Sequence, residues 1–538
     1  MIKLKGRAVS EGIAIGRPVF IETGDIKVKR EKAEDSLVEW RRVNEALGKA
    51  VSELDALSSE AKDSLGEAEA GVFSAHRAIL EDSTFLDFIK DMIETEKVSG
   101  EYAVARAGEN FSETFLAMED EYIRERAADV KDAAGRLLSI LTERKTWGSR
   151  HIPEGSVVFA HELTPTDTLQ MNRKNVAAFV TSLGSTNSHA AILARAMGIP
   201  AVTGIDPEAV GKGSTVIADG YEGLVYIDPE EDVIEEYRKR QKELLREKEE
   251  LESLKGKPAV TGSGKRVLLY ANIGGPSDLE AVKANDAEGI GLLRSEFLYL
   301  SREDYPSEEE LFQVYRTVLE SMAGKKVIIR TLDIGSDKKA DYFNIAEEEN
   351  PALGFRAIRI CLKRPEIFKI QLRAIMRAGA YGNAAVMYPM ITSLREVREI
   401  KRIAEEVKSE LEAEGIEFNR DIEQGIMIET PAAAIISDLL AGEVDFFSIG
   451  TNDLTQYTLA ADRQNTDISE FYDPCNEAVL RLIDMAIKNA HTAGIKAGIC
   501  GELAADPRLT ETFVNMGADE LSMSPRYILP IRRIIRSM

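Results

Sequence analysis

From about residue 260 onward, short β-type runs alternate with helical ones eight times, and few folds accept that rhythm. The candidate strands are 266–271, 289–293, 327–330, 384–387, 425–428, 445–449, 495–499 and 520–523. Each is a brief apolar run bounded by turn residues and separated from the next by a helical pattern, which points to parallel β-α-β units. Eight such units over roughly 270 residues match the size of a (β/α)8 TIM barrel. That architecture collects its chemistry at the C-terminal strand ends, so the residues following each strand carry the functional information.

Those residues are Asn272, Arg294, Arg330 with Asp333, Pro389 and Met390, Glu429, Asn452 with Asp453, Cys500 and Ser524. Two arginines on neighbouring strand ends, with Arg356 and Arg463 on nearby loops, can clamp a small ligand that carries phosphate and carboxylate groups. Glu429 and Asp453, one strand apart, offer hard oxygen ligands suited to a partly hydrated Mg2+ completed by ligand oxygens. Cys500 closes an apolar strand, a common place for an inert buried thiol; its company of arginines and acids makes it a candidate proton donor. The chemistry points to a small polyanion handled with Mg2+. Phosphoenolpyruvate fits, because breaking its enol phosphate leaves an enolate that needs cationic support and then a proton on carbon.

The chain upstream has a different texture. Residues 1–22 are β-like, with Gly12, Gly16 and Pro18 as punctuation, and are too few to fold alone. From about 30 to 145 the pattern turns helical: Leu37, Trp40, Val43, Leu47, Val51, Leu54 and Leu57 recur every three or four residues, as on one long amphipathic helix. Runs of β type return at 156–160, 176–181, 215–218 and 224–227. An α/β domain interrupted by a helical insert fits, with the first strand region rejoining its sheet. The densely charged stretch 231–254 reads as a solvated helical connector.

Inside the α/β region, the small-residue loop 184–188 leads to His189 and then to a strong helix former closed by Gly198 and Pro200. A histidine in a first helical turn is usually only a polar residue. Here the exposed N–H groups and the positive end of the helix dipole favour a phosphate near the ring and keep a nucleophilic nitrogen neutral. Together with the anion-clamping strand ends, His189 becomes a candidate phosphoryl acceptor.

The formal net charge of -24 argues against nucleic acid or an anionic membrane as main partner and favours a partner with a basic face. No uncharged apolar run of about 18 residues occurs, and the N-terminus lacks a signal-type apolar core, so a cytoplasmic location is expected. Three cysteines, Cys361, Cys475 and Cys500, form no CxxC pair, so any special one acts as a thiol.

Several long stretches resemble Enzyme I of the phosphoenolpyruvate-dependent sugar phosphotransferase system, over nearly the whole chain. They are EYIRERAADVKD (121–132), ELTPTDT (162–168), SHAAILAR (188–195), ANIG (271–274), GIGLLRSEFLYL (289–300), RTLDIGSDK (330–338), ENPALGFRAIR (349–359), ETPAAA (429–434), DFFSIGTNDLTQYTLAADR (445–463) and CGELA (500–504). The resemblance implies that His189 is phosphorylated on Nε2, with Thr168 orienting the ring and Lys338 supporting. It implies that Arg294, Arg330, Asn452, Asp453 and Arg463 bind phosphoenolpyruvate with Arg356 in support, that Glu429 and Asp453 hold Mg2+, and that Cys500 protonates the enolate. It further implies that the helical insert docks the small phosphocarrier protein HPr, with His76, taken by itself as a half-exposed helix residue, near that surface. A homodimer through the barrel is implied as well. Where relatives often read GGRTSH before the histidine, this chain reads GSTNSH, with Thr186 and Asn187 in place of arginine and threonine.

The expected organisation is therefore residues 1–22 plus 146–230 as an α/β phosphohistidine domain, 23–145 as a helical HPr-binding subdomain, 231–258 as a helical linker and 259–538 as a TIM barrel for substrate binding and dimerisation. A paralogue serving another carrier is one alternative. A dikinase related to pyruvate phosphate dikinase or phosphoenolpyruvate synthase is another, but it needs a nucleotide domain for which the sequence leaves no room before the histidine domain, and no GxxxxGK[ST] loop occurs. A non-catalytic phosphoenolpyruvate sensor has no need of both His189 and Cys500.

Overall fold

The computed structural model describes residues 1–21, 28–64, 67–118, 121–142, 152–163, 171, 175–183, 191, 194–195, 198–211, 213–300, 302–335, 340–346 and 348–538. They form two compact units, Met1–Leu245 and Arg246–Met538.

The first unit holds an eight-stranded sheet and a helical bundle. Its strands are β1 (Ile2–Lys5), β2 (Arg7–Ser10), β3 (Ile13–Ile21), β4 (Ser156–Ala160), β5 (Val176–Thr181), β6 (Ala201–Thr203), β7 (Val216–Asp219) and β8 (Leu224–Ile227). The order across the sheet is β1-β8-β7-β3-β4-β5-β6-β2. All three N-terminal strands join the sheet: β1 pairs with β8, β2 with β6, and β3 lies in the middle, antiparallel to β7 on one side and parallel to β4 on the other. β4 and β5 are almost wholly buried, which explains their continuous apolar sequence in place of alternation.

Between β3 and β4 the described residues form five helices: α1 (Ser36–Ser64), α2 (Glu67–Glu81), α3 (Ser83–Thr95), α4 (Gly100–Leu116) and α5 (Glu121–Leu141). The buried stripe of α1 runs through Val43, Ala46, Ala50, Leu54 and Leu57, so alanines carry positions between the larger residues that mark the periodicity. Leu37 is 71% exposed because it lies in the first turn, where its N–H is capped by the Asp35 carboxylate at 2.8 Å and its side chain precedes the packed stripe. Asp82 and Ser99 cap α3 and α4 in the same way. His76 corrects the sequence expectation of a half-exposed residue: it is only 1% exposed, with Nε2 3.3 Å from Asp129 Oδ1 across to α5, and Arg126 holds the other Asp129 oxygen at 3.0 Å.

Helix α6 (Glu231–Glu252) spans the densely charged stretch, and the division between the units falls within it. Its first half is fastened to the first unit by Tyr237, whose hydroxyl donates to Asp219 Oδ2 at 3.1 Å, and by Arg240, which reaches the same oxygen at 2.8 Å.

The second unit is a closed barrel of eight parallel strands: β9 (Leu268–Ile273), β10 (Gly289–Arg294), β11 (Val327–Arg330), β12 (Ala384–Tyr388), β13 (Glu423–Ile428), β14 (Phe446–Gly450), β15 (Lys496–Cys500) and β16 (Glu520–Met523). All eight expected strands are present. β9 starts two residues later than the sequence suggests, because Arg266 pairs instead with Val260 in an isolated antiparallel bridge. Alternate residues of each strand face in and out. The outward set packs under the surrounding helices, while Leu292, Ile328, Ala385, Met387, Met427, Phe446 and Cys500 form a separate cluster in the lumen. The last helix, Ile528–Ser537, packs back on the barrel through Ile528, Ile531 and Ile535, and its fully buried Arg532 pairs with Asp286. Its terminal Met538 carbonyl accepts from the Gly262 N–H at 2.7 Å.

Candidate active site

Arg294 and Arg330 close β10 and β11 and stand opposite one another in the strand register. Their backbone is fixed from behind by buried Gln371. Its amide donates to Ser295 Oγ at 2.9 Å, Ser295 Oγ donates to the Arg330 carbonyl at 2.7 Å, and Gln371 Oε1 accepts from Leu332 N at 2.9 Å. Arg330 is buried and lies between two carboxylates, with Nη2 2.5 Å from Glu296 Oε1 and 2.9 Å from Asp333 Oδ2. Arg356, also buried, reaches Asp333 Oδ1 at 3.2 Å. Burial alone would lower the Arg330 pKa, but Asp333, Glu296, Glu429 and Asp453 outweigh it and hold the guanidinium firmly charged. Arg294, by contrast, is exposed and has no ion-pair partner among the described residues.

Glu429 follows β13 and is 1% exposed. One of its oxygens accepts from the Met390 N–H at 2.5 Å, and Met390 has a left-handed backbone at φ 59°. Burial, then the like charges of Asp453 and Asp333, push the Glu429 carboxyl up to about 8, against the pull of Arg330. Gly450 at the end of β14 leaves the space this carboxylate occupies: a Cβ there would lie 2.9 Å from Glu429 Oε2. The helix Thr451–Leu459 begins at once, placing Asn452 and Asp453 in its first turn. Asn452 is held by the Glu502 N–H, which donates to its Oδ1 at 3.4 Å, and by Tyr472, whose hydroxyl donates to its carbonyl at 3.1 Å. The Asp453 carboxylate makes no hydrogen bond among the described residues.

Cys500 ends β15 and is paired in register with Gly450. It is 2% exposed; Ser448 Oγ donates to its sulfur at 3.0 Å, and the thiol donates to the Ile449 carbonyl at 3.5 Å. Burial pushes the thiol up to about 12, with Ser448 opposing and Glu429 adding to the rise. A thiol so placed stays protonated at neutral pH.

Arg330, Asp333, Glu429, Asp453 and Cys500 thus lie at or just past the C-terminal ends of β11, β13, β14 and β15, near enough that the charges of Asp333, Glu429 and Asp453 bear on Arg330 and those of Glu429 and Arg330 on Cys500. Arg356 joins them through Asp333. Arg463 is exposed; its backbone N–H donates to Gln456 Oε1 at 3.2 Å, and its charge bears on the Tyr472 hydroxyl. Asn272, expected at a strand end, is instead tied to β16, accepting from Ser522 Oγ at 2.5 Å and donating to the Ser522 carbonyl at 3.1 Å. His189, Thr168 and Lys338 lie outside the described residues, as do Thr186 and Asn187. Sequence reasoning passed over Glu296, Gln371 and Ser448. Glu296 lies inside GIGLLRSEFLYL, two residues past Arg294, and an acid so close to a strand-end arginine is the signal that could have found it.

The donor set suits a divalent cation of the Mg2+ type. Two carboxylates one strand apart, one of them pushed up by burial and then by its neighbour's charge, favour a cation whose remaining positions go to water and a ligand. Among the described residues no group of three or more His, Cys, Asp or Glu side chains could enclose a metal without such help.

No helix among the described residues is long and apolar enough to cross a membrane. Residues 248–538 match the family model described as PEP-utilising enzyme, PEP-binding domain; 5–126 match PEP-utilising enzyme, N-terminal; and 152–223 match PEP-utilising enzyme, mobile domain. A phosphoenolpyruvate-protein phosphotransferase of Priestia megaterium is 45% identical over 538 residues, covering 100% of this chain and 94% of that one. The protein of the same name from Staphylococcus carnosus (strain TM300) is 43% identical, again over 100% of this chain and 94% of the relative. A solution structure of Enzyme I is 32% identical over 45% of this chain and 99% of its own length, with a TM-score of 0.39. Full-length likeness at this level, joined to three successive family matches, makes this chain a member of the phosphoenolpyruvate-protein phosphotransferase family of PEP-utilising enzymes.

Proposed function

We propose that this chain takes the phosphoryl group of phosphoenolpyruvate onto His189 and passes it to the histidine of a phosphocarrier of the HPr type, releasing pyruvate as the first step of sugar uptake. The observation that supports the reading is that Arg330, Glu429, Asp453 and Cys500 all stand at or just past the C-terminal ends of barrel strands. Arg294, Arg330, Asn452, Asp453 and Arg463 bind the substrate, with Arg356 in support through Asp333, one of the two acids that frame Arg330. His189 Nε2 attacks phosphorus, and the bond from phosphorus to the enol oxygen breaks. The arginines receive the enolate charge. The Cys500 S–H bond then gives its proton to C3, completing pyruvate. Glu429 and Asp453 would hold Mg2+, which supplies further positive charge to the phosphate and enolate oxygens. Thr168 orients the imidazole and Lys338 supports the phosphate.

The proposed division of labour follows. Residues 1–22 and 146–230 carry the phosphohistidine, 23–145 dock the carrier, 231–258 link, and 259–538 bind substrate and pair two chains into a homodimer in the cytoplasm. Because His189 belongs to one unit and the arginines to the other, domain motion about α6 is part of the cycle. The test uses phosphoenolpyruvate labelled in its phosphate. Trypsin cuts after Lys174 and Arg195, leaving a 175–195 fragment in which His189 is the single histidine. Acid-labile label is expected on that fragment, discharged by added HPr; label elsewhere, or acid-stable label on its serines, rejects the assignment.

The metal reading has its own test. Glu429 keeps its proton in the folded chain up to about 8 but loses it near 4.5 when unfolded, so its contribution to stability falls as pH rises through that window. Mg2+ needs the carboxylate and so binds better at the upper end. At a hundred times its Kd, Mg2+ is expected to stabilise the barrel by about 2.7 kcal/mol. In thermal unfolding, the Mg2+-induced rise should be larger at pH 8.5 than at pH 6.5 and absent in Glu429→Gln; an unchanged rise in that variant removes Glu429 as a ligand.

A further inference from the structure

The barrel lumen contains a carboxylate that the proposed reaction leaves without a role. Glu520 is the first residue of β16, at the N-terminal end of the barrel, opposite the substrate mouth. The strand register aligns Ser448 with Gly498 and Gly498 with Glu520, a row across β14, β15 and β16. Gly498 has no side chain, and Glu520 lies over it: a Cβ on Gly498 would come within 3.2 Å of Glu520 Cβ and 3.3 Å of its carboxyl carbon. Gly291 of β10 clears the other side, where a Cβ would lie 2.4 Å from Glu520 Oε1 and 2.3 Å from Ser522 Oγ. Two glycines thus leave room for a carboxyl within the lumen. At the far end of the row, Ser448 Oγ donates to the Cys500 sulfur at 3.0 Å.

Among the described residues no hydrogen bond or ion pair engages the Glu520 carboxyl. The charged groups around it are Lys326, Lys496 and Asp519, and the Tyr270 ring lies nearby. Burial pushes the carboxyl up to about 8, against Lys326 and Lys496, and its charge reaches the Cys500 thiol. A half-buried acid with no hydrogen-bond partner among the described residues, kept protonated near neutrality and set over Gly498 in the same row as the serine whose hydroxyl donates to a catalytic thiol, has the attributes of a proton store.

We propose that Glu520 reloads Cys500 through Ser448, drawing protons from solvent at the N-terminal mouth while substrate occupies the other. This rests on the reading of Cys500 as the acid that protonates C3. When C3 takes the Cys500 proton, the S–H bond breaks and a thiolate remains. Ser448 gives its hydroxyl hydrogen to sulfur along the existing hydrogen bond and takes a replacement from the Glu520 carboxyl, across the space over Gly498. The Glu520 carboxylate then recovers a proton from water at the N-terminal mouth, where Lys326 is half-buried and Glu423 and Lys496 are exposed. One solvent proton enters per pyruvate, and the relay runs backwards when pyruvate is converted to phosphoenolpyruvate.

A relay from below makes a prediction that an ion-pair role does not. With pyruvate bound, Cys500 can abstract a C3 hydrogen, exchange it with solvent from behind and return deuterium before the ligand leaves. Without the relay, the same hydrogen is returned. The full chain is equilibrated in D2O with phosphoenolpyruvate, Mg2+ and 14C-labelled pyruvate. Deuterium uptake at C3 is divided by exchange of 14C into phosphoenolpyruvate. This ratio is expected to fall about tenfold in Glu520→Gln and in Ser448→Ala, and to recover partly in Glu520→Asp. Ser448→Ala, nearly isosteric, decides the matter if Glu520→Gln does not fold. A wild-type ratio in folded Glu520→Gln, or in Ser448→Ala, overturns the proposal. Cys500→Ala serves as the separate control: if deuterium uptake survives it undiminished, the assignment of Cys500 itself is at fault.

Discussion

Arg330→Met is expected to lower kcat/KM for phosphoenolpyruvate by at least about 10^3-fold and to destabilise the barrel by about 3–5 kcal/mol. Both effects have the same source. Arg330 is 6% exposed and is the cation against which Glu296, Asp333, Glu429 and Asp453 are balanced. Methionine fills a similar volume, so the loss is one of charge and hydrogen bonding. Removing one partner of a buried ion pair leaves the other charges in a medium that solvates them poorly. In denaturant unfolding the midpoint should drop with little change in slope, because the surface exposed on unfolding is unchanged. Arg330→Lys separates the two roles. It keeps the charge, so most of the stability should remain, but loses the planar fork that can grip a phosphate or carboxylate with two bonds. Its substrate affinity should fall about 10- to 100-fold. If Arg330→Met binds phosphoenolpyruvate as tightly as the unaltered chain in a direct titration, the strand-end site is misplaced, whatever happens to stability.

The barrel is legible in the sequence because its signal is local. Val327–Arg330 and Phe446–Gly450 are short apolar runs, each closed by a functional residue or a turn, and buried on both faces. The rule that chemistry follows the strand carries the reader from Arg330 to Glu429 to Cys500 without any knowledge of contacts. What is illegible depends on partners distant in sequence. His76 reads as a surface residue until Asp129, 53 residues later, is brought to its ring. Gln371 is an ordinary helix residue by pattern, and only folding reveals that it ties the ends of β10 and β11 together. Glu520 opens a strand, where a charged side chain normally marks the solvent edge; the vacancy at Gly498 and Gly291 turns it into the lumen. Asn272 misleads in the opposite sense, since its polar side chain is consumed by Ser522 in the neighbouring strand. The general lesson is physical. Strand periodicity is written in adjacent residues, whereas the balance of buried charge is written in pairs that only the closed barrel assembles.

Cys500→Ala is expected to slow enzymatic formation of pyruvate by about 10^2- to 10^3-fold, the usual range for loss of a positioned general acid. Phosphorylation of the protein should suffer less, because cleavage of the enol phosphate precedes protonation of carbon; the product leaving the site is then enolpyruvate, which becomes pyruvate in solution. Stereochemistry distinguishes the two routes. With phosphoenolpyruvate labelled stereospecifically at C3 and the reaction run in D2O, a fixed thiol delivers hydrogen to one face and yields a chiral methyl group. Solvent delivers to both. The chirality of the methyl group should therefore be lost in Cys500→Ala. A retained chirality would mean that another group on the protein is the acid. The pH dependence follows from the environment of the thiol. Burial beside the Glu429 carboxylate raises it to about 12, so the acid form persists as pH climbs. Single-turnover protonation by the unaltered chain should accordingly show no break from Cys500 between pH 6 and 9. A free thiol would lose its proton near 8.5 and impose one there. Cys500→Ser, whose hydroxyl also remains protonated, should preserve the stereochemistry while recovering only part of the rate, because oxygen releases its proton less readily than sulfur and sits farther from a substrate placed for the longer thiol side chain.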